Sequence, residues 1–369
     1  MKDVVDRYDA AFGSYSSVVA IDEPGGEARV YPSRVVARLV QNDHGSYRRV
    51  ADFVNAWPCD VFNIQHEYGL FGGDDGEWIV DLIAGVRKPV VTSLHTVLPD
   101  PSPQHLRVAR ALCATSSAVV VLSETGREIL INRYGVEPHK IHVIHHGVPD
   151  VPFRDTLEAK RRLGVGDRMT ISTFGLISRG KGLEYAIEAM QAVVASHPEA
   201  LYMILGQTHP VVRRNEGESY RRALEAEIAA NGLSDNVVLV DKYLSFDEVI
   251  SYLAATDVYL TPYLNPRQIV SGTLAYAVGC GKAIVSTAYL YAEELLANGR
   301  GFIVPFRDAS AIATTLVALL DDPALREATE RRAYKFGRRM TWPHVAQAYG
   351  ALFAEMLPAR ALQPLATPA

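Results

Sequence analysis

Lys181 lies between two glycines, with Arg179 two positions ahead of it, in FGLISRGKGLEYAIEAM (174–190). An apolar run precedes this turn and helical apolar spacing follows it, so the two cations sit where a strand gives way to a helix. Fixed cations at such a turn can stabilise a diphosphate leaving group without a metal, although a solvated basic loop has the same composition. Ser271, Gly272 and Thr273 open a second helix inside TPYLNPRQIVSGTLAYAVGCGKAIVST (261–287). The first backbone N–H groups of a helix have no partner within it, which makes a ready anion site. Ser and Thr also cap helices that bind nothing. His95 ends KPVVTSLHT, and Glu67 follows a strand-like run in QHEYGLFGG. Both are candidate catalytic residues at strand ends, and Glu67, on a glycine-rich loop, can accept a hydrogen bond from a hydroxyl or act as a base. His66 is only their neighbour, and His145-His146-Gly147 reads as a hinge.

These residues need elements that place them together. The first half carries the runs SSVVAIDE, SRVVARLV, CDVFNIQHE, KPVVTSLHT, SAVVVLS and KIHVIHHG. The second carries MTISTFG, LYMILG, NVVLVD, DVYLTPY, KAIVST and GFIVPF. Helical spacing separates the runs, for example over 45–57, 74–85, 103–114, 182–196 and 309–320. Apolar strands alternating with helices predict an α/β chain of two Rossmann-like, doubly wound domains. The first spans 1–150 and the second 151–357, with the last helix of the second (343–357) expected to pack back on the first. Ligands of such sheets sit outside the strand C-termini. A doubly wound half normally starts with a central strand and a glycine-rich turn, whereas this sequence begins inside a helix. A start placed too far downstream, or a missing first strand, is the expectation. The Pro/Ala-rich tail, 358–369, is expected to be disordered.

Composition narrows the classes. The 369 residues are 48% hydrophobic and 21% charged, with a net charge of -5. Without a basic excess there is nothing to neutralise nucleic-acid phosphates. Cys59, Cys113 and Cys280 are too far apart for a metal or disulfide pattern, which suits a reducing, cytoplasmic compartment. No run reaches membrane-spanning length, so no transmembrane segment is expected.

GKGLEYAIEAM, the HHGV turn, GTLAYAVGCGKAIVST and EELLANGRGFIVPF, in this order over about 180 residues, resemble the C-terminal half of a family 4 glycosyltransferase of the GT-B fold. QHEYGLFGG and the strand ending at His95 resemble its N-terminal half less strongly. The resemblance implies a retaining, metal-independent hexosyltransferase, with 1–150 as the acceptor-side domain and 151–357 as the nucleotide-sugar-binding domain. It would carry no cofactor, and it would move sugar from a nucleoside diphosphate donor to a saccharide or other hydroxyl acceptor. GDP-mannose is preferred over UDP-glucose on family impression. Lys181 matches the family's diphosphate-binding lysine, Ser271-Gly272-Thr273 its diphosphate-holding helix start, and His95 its histidine near the reactive sugar carbon. The family's arginine after the strand-ending glycine is replaced by Leu176, with Arg179 as the substitute. Its two glutamates, for donor sugar and ribose, fall on Gln268 and Tyr276, and Glu294 is spaced to compensate for the second. Two competing readings are a catalytically degenerate nucleotide-sugar-binding protein or partner subunit, favoured by those losses, and a sugar-nucleotide epimerase. The latter needs paired carboxylates, which this motif order fits poorly.

Overall fold

Strands buried on both faces read as continuous apolar runs, and here every ladder between strands is parallel. The computed structural model of the chain describes residues 2–23, 29–153 and 156–357. The tail expectation at 358–369 therefore lies outside the described residues.

Two units carry the fold, one formed by residues 1–146 and 342–369, the other by 147–341. The first contains α1 (Lys2–Phe12), β1 (Val18–Asp22), β2 (Val35–Val40), α2 (His44–Ala56), β3 (Phe62–His66), α3 (Trp78–Gly85) and β4 (Val90–Leu94). It continues with α4 (Pro103–Thr115), β5 (Ala118–Val121), α5 (Glu124–Tyr134) and β6 (Ile141–Val143). The sheet comes in two pieces, β1-β2 and β3-β4-β5-β6. No strand among the described residues joins them. Instead a shared core does, in which Val50 and Val54 of α2 pack with Leu39 of β2 and Ile64 of β3. The Trp57 indole also donates to Ser17 Oγ at 3.1 Å, tying the start of β1 to the approach to β3. The helix expected over 74–85 is broken. Asp74–Gly76 forms a 3-10 turn, Asp75 has φ 54°, and the helix proper begins at Trp78.

The second unit holds α6 (Thr156–Leu163), β7 (Thr170–Phe174), α7 (Leu183–Ser196), β8 (Leu201–Leu205), α8 (Pro210–Glu216), α9 (Ser219–Ala230) and β9 (Val237–Val240). After these come α10 (Phe246–Ala254), β10 (Val258–Thr261), α11 (Gly272–Gly279), β11 (Ala283–Thr287), α12 (Leu290–Leu296), β12 (Phe302–Val304), α13 (Ala309–Asp321) and α14 (Pro323–Gly337). Its six strands run in the order β12-β11-β10-β7-β8-β9. The chain winds one way from β7 and the other way from β10, so the order reverses between these two neighbours. That is the topological switch point, where the loops above a parallel sheet diverge and leave a crevice. At the opposite ends of the same strands, Asp257 binds the start of β7. Its Oδ2 accepts from the Thr170 backbone N–H (2.7 Å) and hydroxyl (3.0 Å) and pairs with Lys160 Nζ at 2.6 Å, all buried.

The break between units falls at 146/147 rather than at 150. Val148 already belongs to the second unit, where it bridges Thr341 and packs against Gly279. At Trp342 the chain returns to the first unit through α15 (Trp342–Glu355), which packs along α1. Tyr8 meets Phe353 there, and the Tyr349 hydroxyl bonds Ser93 of β4 at 2.9 Å.

Candidate functional site

In the second unit the turn after β7, the loop after β10 and the start of α11 converge above the switch point. The turn is possible only because two glycines admit close backbone approach. A Cβ on Gly182 would lie 2.2 Å from the Pro262 carbonyl oxygen, and one on Gly206 would lie 2.2 Å from that of Gly175. A Cβ on Gly175 would sit 3.3 Å from Thr273 Cγ2, so the turn abuts the helix start directly.

Lys181 is partly buried, with its ammonium 3.7 Å from the centroid of the Tyr263 ring, and it makes no ion pair among the described residues. A cation held over an aromatic face keeps its charge available to an anion. The Tyr263 hydroxyl lies 2.8 Å from Thr273 Oγ1, which lies 3.1 Å from Ser271 Oγ. Ser271 caps α11, its hydroxyl accepting from the Leu274 N–H. Helix geometry leaves the N–H groups of Gly272 and Thr273 without intrahelical acceptors. One ammonium and a helix N-terminus thus share a corner, the chemistry of an anion cradle.

The other predicted residues fall around it unequally. Arg179 is exposed and turned to Glu216 of α8 (3.3 Å) and the Tyr220 ring (5.1 Å). Reaching a diphosphate would break that exposed pair, at a cost of under about 1 kcal/mol. Gln268 donates its amide to the Val270 carbonyl at 3.0 Å, and its own backbone carbonyl receives the Tyr291 N–H at the start of α12. Tyr276 stands one turn into α11, with Phe174 and Phe246 beside it. Glu294, on α12, lies in the field of Arg300, whose guanidinium donates to its carbonyl at 2.8 Å.

In the first unit His95 and Glu67 share a small polar cluster at the ends of β4 and β3. His95 Nε2 bonds Gln65 Oε1 at 2.8 Å. With the amide oxygen accepting, Nε2 carries the proton and Nδ1 presents a lone pair. Glu67 accepts from the Thr96 hydroxyl (2.8 Å) and from the Tyr68 N–H (2.9 Å). His66 is buried, stacked on Phe71, with neither ring nitrogen bonded to a described residue. An open groove of about 670 Å³ beside β6 and α15, with Glu124, Arg127 and Glu355 among its walls, contains none of these candidates. Tyr263, Gln65 and Thr96 complete the two clusters. Gln65 and Thr96 carried a signal, as polar residues ending strands, but nothing marked Tyr263.

Burial pushes both His66 and His95 down to about 4, helped by the field of His95 on the former and of His146 on the latter. Each is therefore neutral at pH 7. The unfolded chain, with imidazoles near 6.5, binds more protons below that pH, so their stability contribution is present above pH 6.5 and lost as pH falls toward 4. Urea midpoints should drop between pH 7 and pH 5, and His66→Phe should flatten the drop. A pH-independent midpoint over this window would contradict the burial of neutral imidazoles.

Residues 12–150 match the family described as Glycosyltransferase Family 4, and 168–322 match Glycosyl transferases group 1. A D-inositol 3-phosphate glycosyltransferase of Stackebrandtia nassauensis is 27% identical over 332 residues, 85% of this chain and 73% of that protein. The lipopolysaccharide core biosynthesis mannosyltransferase LpcC of Rhizobium leguminosarum is 26% identical over 258 residues, 69% of each. Among solved structures, HepE of Anabaena in complex with UDP-glucose aligns with a TM-score of 0.68 at 18% identity over 87% of both chains. Sucrose-phosphate synthase of Thermosynechococcus elongatus aligns with a TM-score of 0.75 at 17% identity, over 96% of this chain and 92% of that one.

Proposed function

Since the chain is a family 4 glycosyltransferase with the GT-B fold, its two matched domains spanning most of its length, we propose that it moves a hexose from a nucleoside diphosphate sugar to an acceptor hydroxyl with retention. The observation that carries this is the Lys181 ammonium, over the Tyr263 ring and without an ion pair among the described residues, beside the N-terminus of α11 at the switch point. The UDP-glucose held by Anabaena HepE and the mannosyl transfer named for the Rhizobium protein support UDP-glucose and GDP-mannose as the donors to try.

In this reading Lys181 and the Gly272 and Thr273 N–H groups hold the diphosphate and take up its charge as the bond from C1 to oxygen breaks. The acceptor oxygen bonds C1 on the face the diphosphate leaves, and the acceptor proton passes to a base. Gln268 reads sugar hydroxyls, Tyr276 the nucleoside. Glu67, already accepting two hydrogen bonds, and His95, with its Nδ1 lone pair, handle the acceptor. Glu67→Gln should lower transfer roughly 100-fold, the scale of general-base catalysis, while nucleotide affinity at the second unit stays unchanged. An unaltered rate would remove Glu67 from the chemistry.

The replacement of both family carboxylates by Gln268 and Tyr276 favours one second reading, a protein that binds nucleotide sugars without transfer. Nucleotide-sugar binding with neither hydrolysis nor transfer across a broad acceptor screen would select it. The epimerase reading gains no support from the matched domains.

A further inference from the structure

A cluster of rings adjoins the diphosphate cradle, and most of it is unused by the roles above. Phe174 is the last residue of β7, directly before Gly175, whose backbone abuts Thr273. Its ring centroid is 6.3 Å from that of Tyr276. Phe246, the first residue of α10, meets Tyr276 edge-on at 6.2 Å and 83°. Phe246 is 46% exposed, and Tyr243, in the loop before it, is 71% exposed. Large rings left this open at the C-terminal edge of a parallel sheet contribute little to a core, and their faces are free to stack.

Apart from Asp247 in the first turn of α10, the carboxylates along the same loops are engaged elsewhere, Asp241 with Arg221. Glu248 accepts from the Ser245 N–H in a capping box and holds Lys242. Glu216 holds Arg179, and Glu218 binds Thr208, Arg213 and Arg221. A nucleoside attached to a diphosphate at Lys181 and α11 therefore meets aromatic faces on this side, where a ribose diol would look for a carboxylate. Stacking reads a π-face and is indifferent to the sugar beneath the base, whereas a carboxylate hydrogen-bonded to hydroxyls is not.

From this geometry we infer that the donor nucleoside is recognised by stacking on Phe246 and Tyr243 against Tyr276, and that its 2′-hydroxyl is unread. The site then takes 2′-deoxynucleoside diphosphate sugars as well as the ribonucleoside kind. This rests on the donor reading of the cradle.

Titration of inorganic pyrophosphate, UDP and dUDP into the full chain and into Phe246→Ala, Tyr243→Ala and Lys181→Ala tests both levels separately. UDP and dUDP should bind the parent chain within about threefold of each other, and each at least about tenfold tighter than pyrophosphate, the scale of one stacked base. Phe246→Ala should bring both nucleotides close to pyrophosphate while pyrophosphate itself binds as before, which also shows that the variant is folded. Binding of dUDP tenfold or more weaker than UDP overturns the inference, as does nucleotide affinity unmoved by Phe246→Ala and Tyr243→Ala. If pyrophosphate fails to bind, or binds Lys181→Ala as well as the parent, the donor reading itself falls and takes the inference with it.

Discussion

Lys181→Ala should weaken diphosphate binding by more than tenfold and leave the fold intact. A charge-assisted hydrogen bond contributes roughly 1.5–3 kcal/mol, and about 1.4 kcal/mol is a tenfold change in affinity, so losses of roughly 10- to 150-fold span the expected range. The ammonium makes no ion pair among the described residues and lies over a single ring, so its removal strands no buried charge. Urea midpoints should move little. Lys181→Arg should fall between the two, because a planar guanidinium cannot place a point charge over Tyr263 in the same way. Calorimetric titration with UDP at fixed ionic strength measures the effect, and higher salt should narrow the gap between parent and variant. An unchanged affinity in Lys181→Ala would remove the lysine from the leaving-group role and leave the helix N-terminus alone there.

The largest stability effect is expected far from that corner, at Asp257. Its carboxylate sits among three donors at the N-terminal ends of β7 and β10, with Lys160 and Thr170 buried alongside. Removing one partner of a buried pair leaves the other charge unsolvated, which costs about 3–5 kcal/mol. Asp257→Ala should lower the unfolding free energy by that amount, read from urea denaturation at pH 7. Replacing Lys160 by Met in the same chain should recover a substantial part, because the stranded ammonium is then gone. A loss under about 1 kcal/mol for Asp257→Ala would mean that water reaches the pair. Nucleotide affinity of the fraction still folded should be near that of the parent, since the pair lies at the opposite ends of the strands that carry the cradle.

The two predictions also mark what could and could not be read from the chain. All twelve described strands were legible: central strands covered on both faces leave apolar runs, such as LYMIL in β8, every residue of which is buried, and the less buried strands β1, β2, β9 and β12 are still rich in Val and Ile. Ser271-Gly272-Thr273 was legible as a helix start because capping is local. Lys160 and Asp257 were not, since nothing in the spacing of a helical lysine and a strand-leading aspartate says they meet. Arg179 was expected at the anion, but the direction of a loop side chain depends on what lies across from it, and α8, an unforeseen helix, brings Glu216. The helix α14 was also unforeseen although Asp322 and Pro323 announce it, the aspartate side chain accepting from the Leu325 N–H. Tyr263 reads as one more apolar strand residue. Only the fold turns its ring under Lys181 and its hydroxyl to Thr273.

Calorimetric titration of the full chain with UDP-glucose and with GDP-mannose, each competed by inorganic pyrophosphate, tests the anion cradle most directly. The account predicts saturable binding of at least one sugar nucleotide with a Kd of roughly 1 μM to 1 mM, the ordinary range for enzyme substrates, displaced by pyrophosphate. Absence of binding by both sugar nucleotides, or failure of pyrophosphate to displace them, would contradict it.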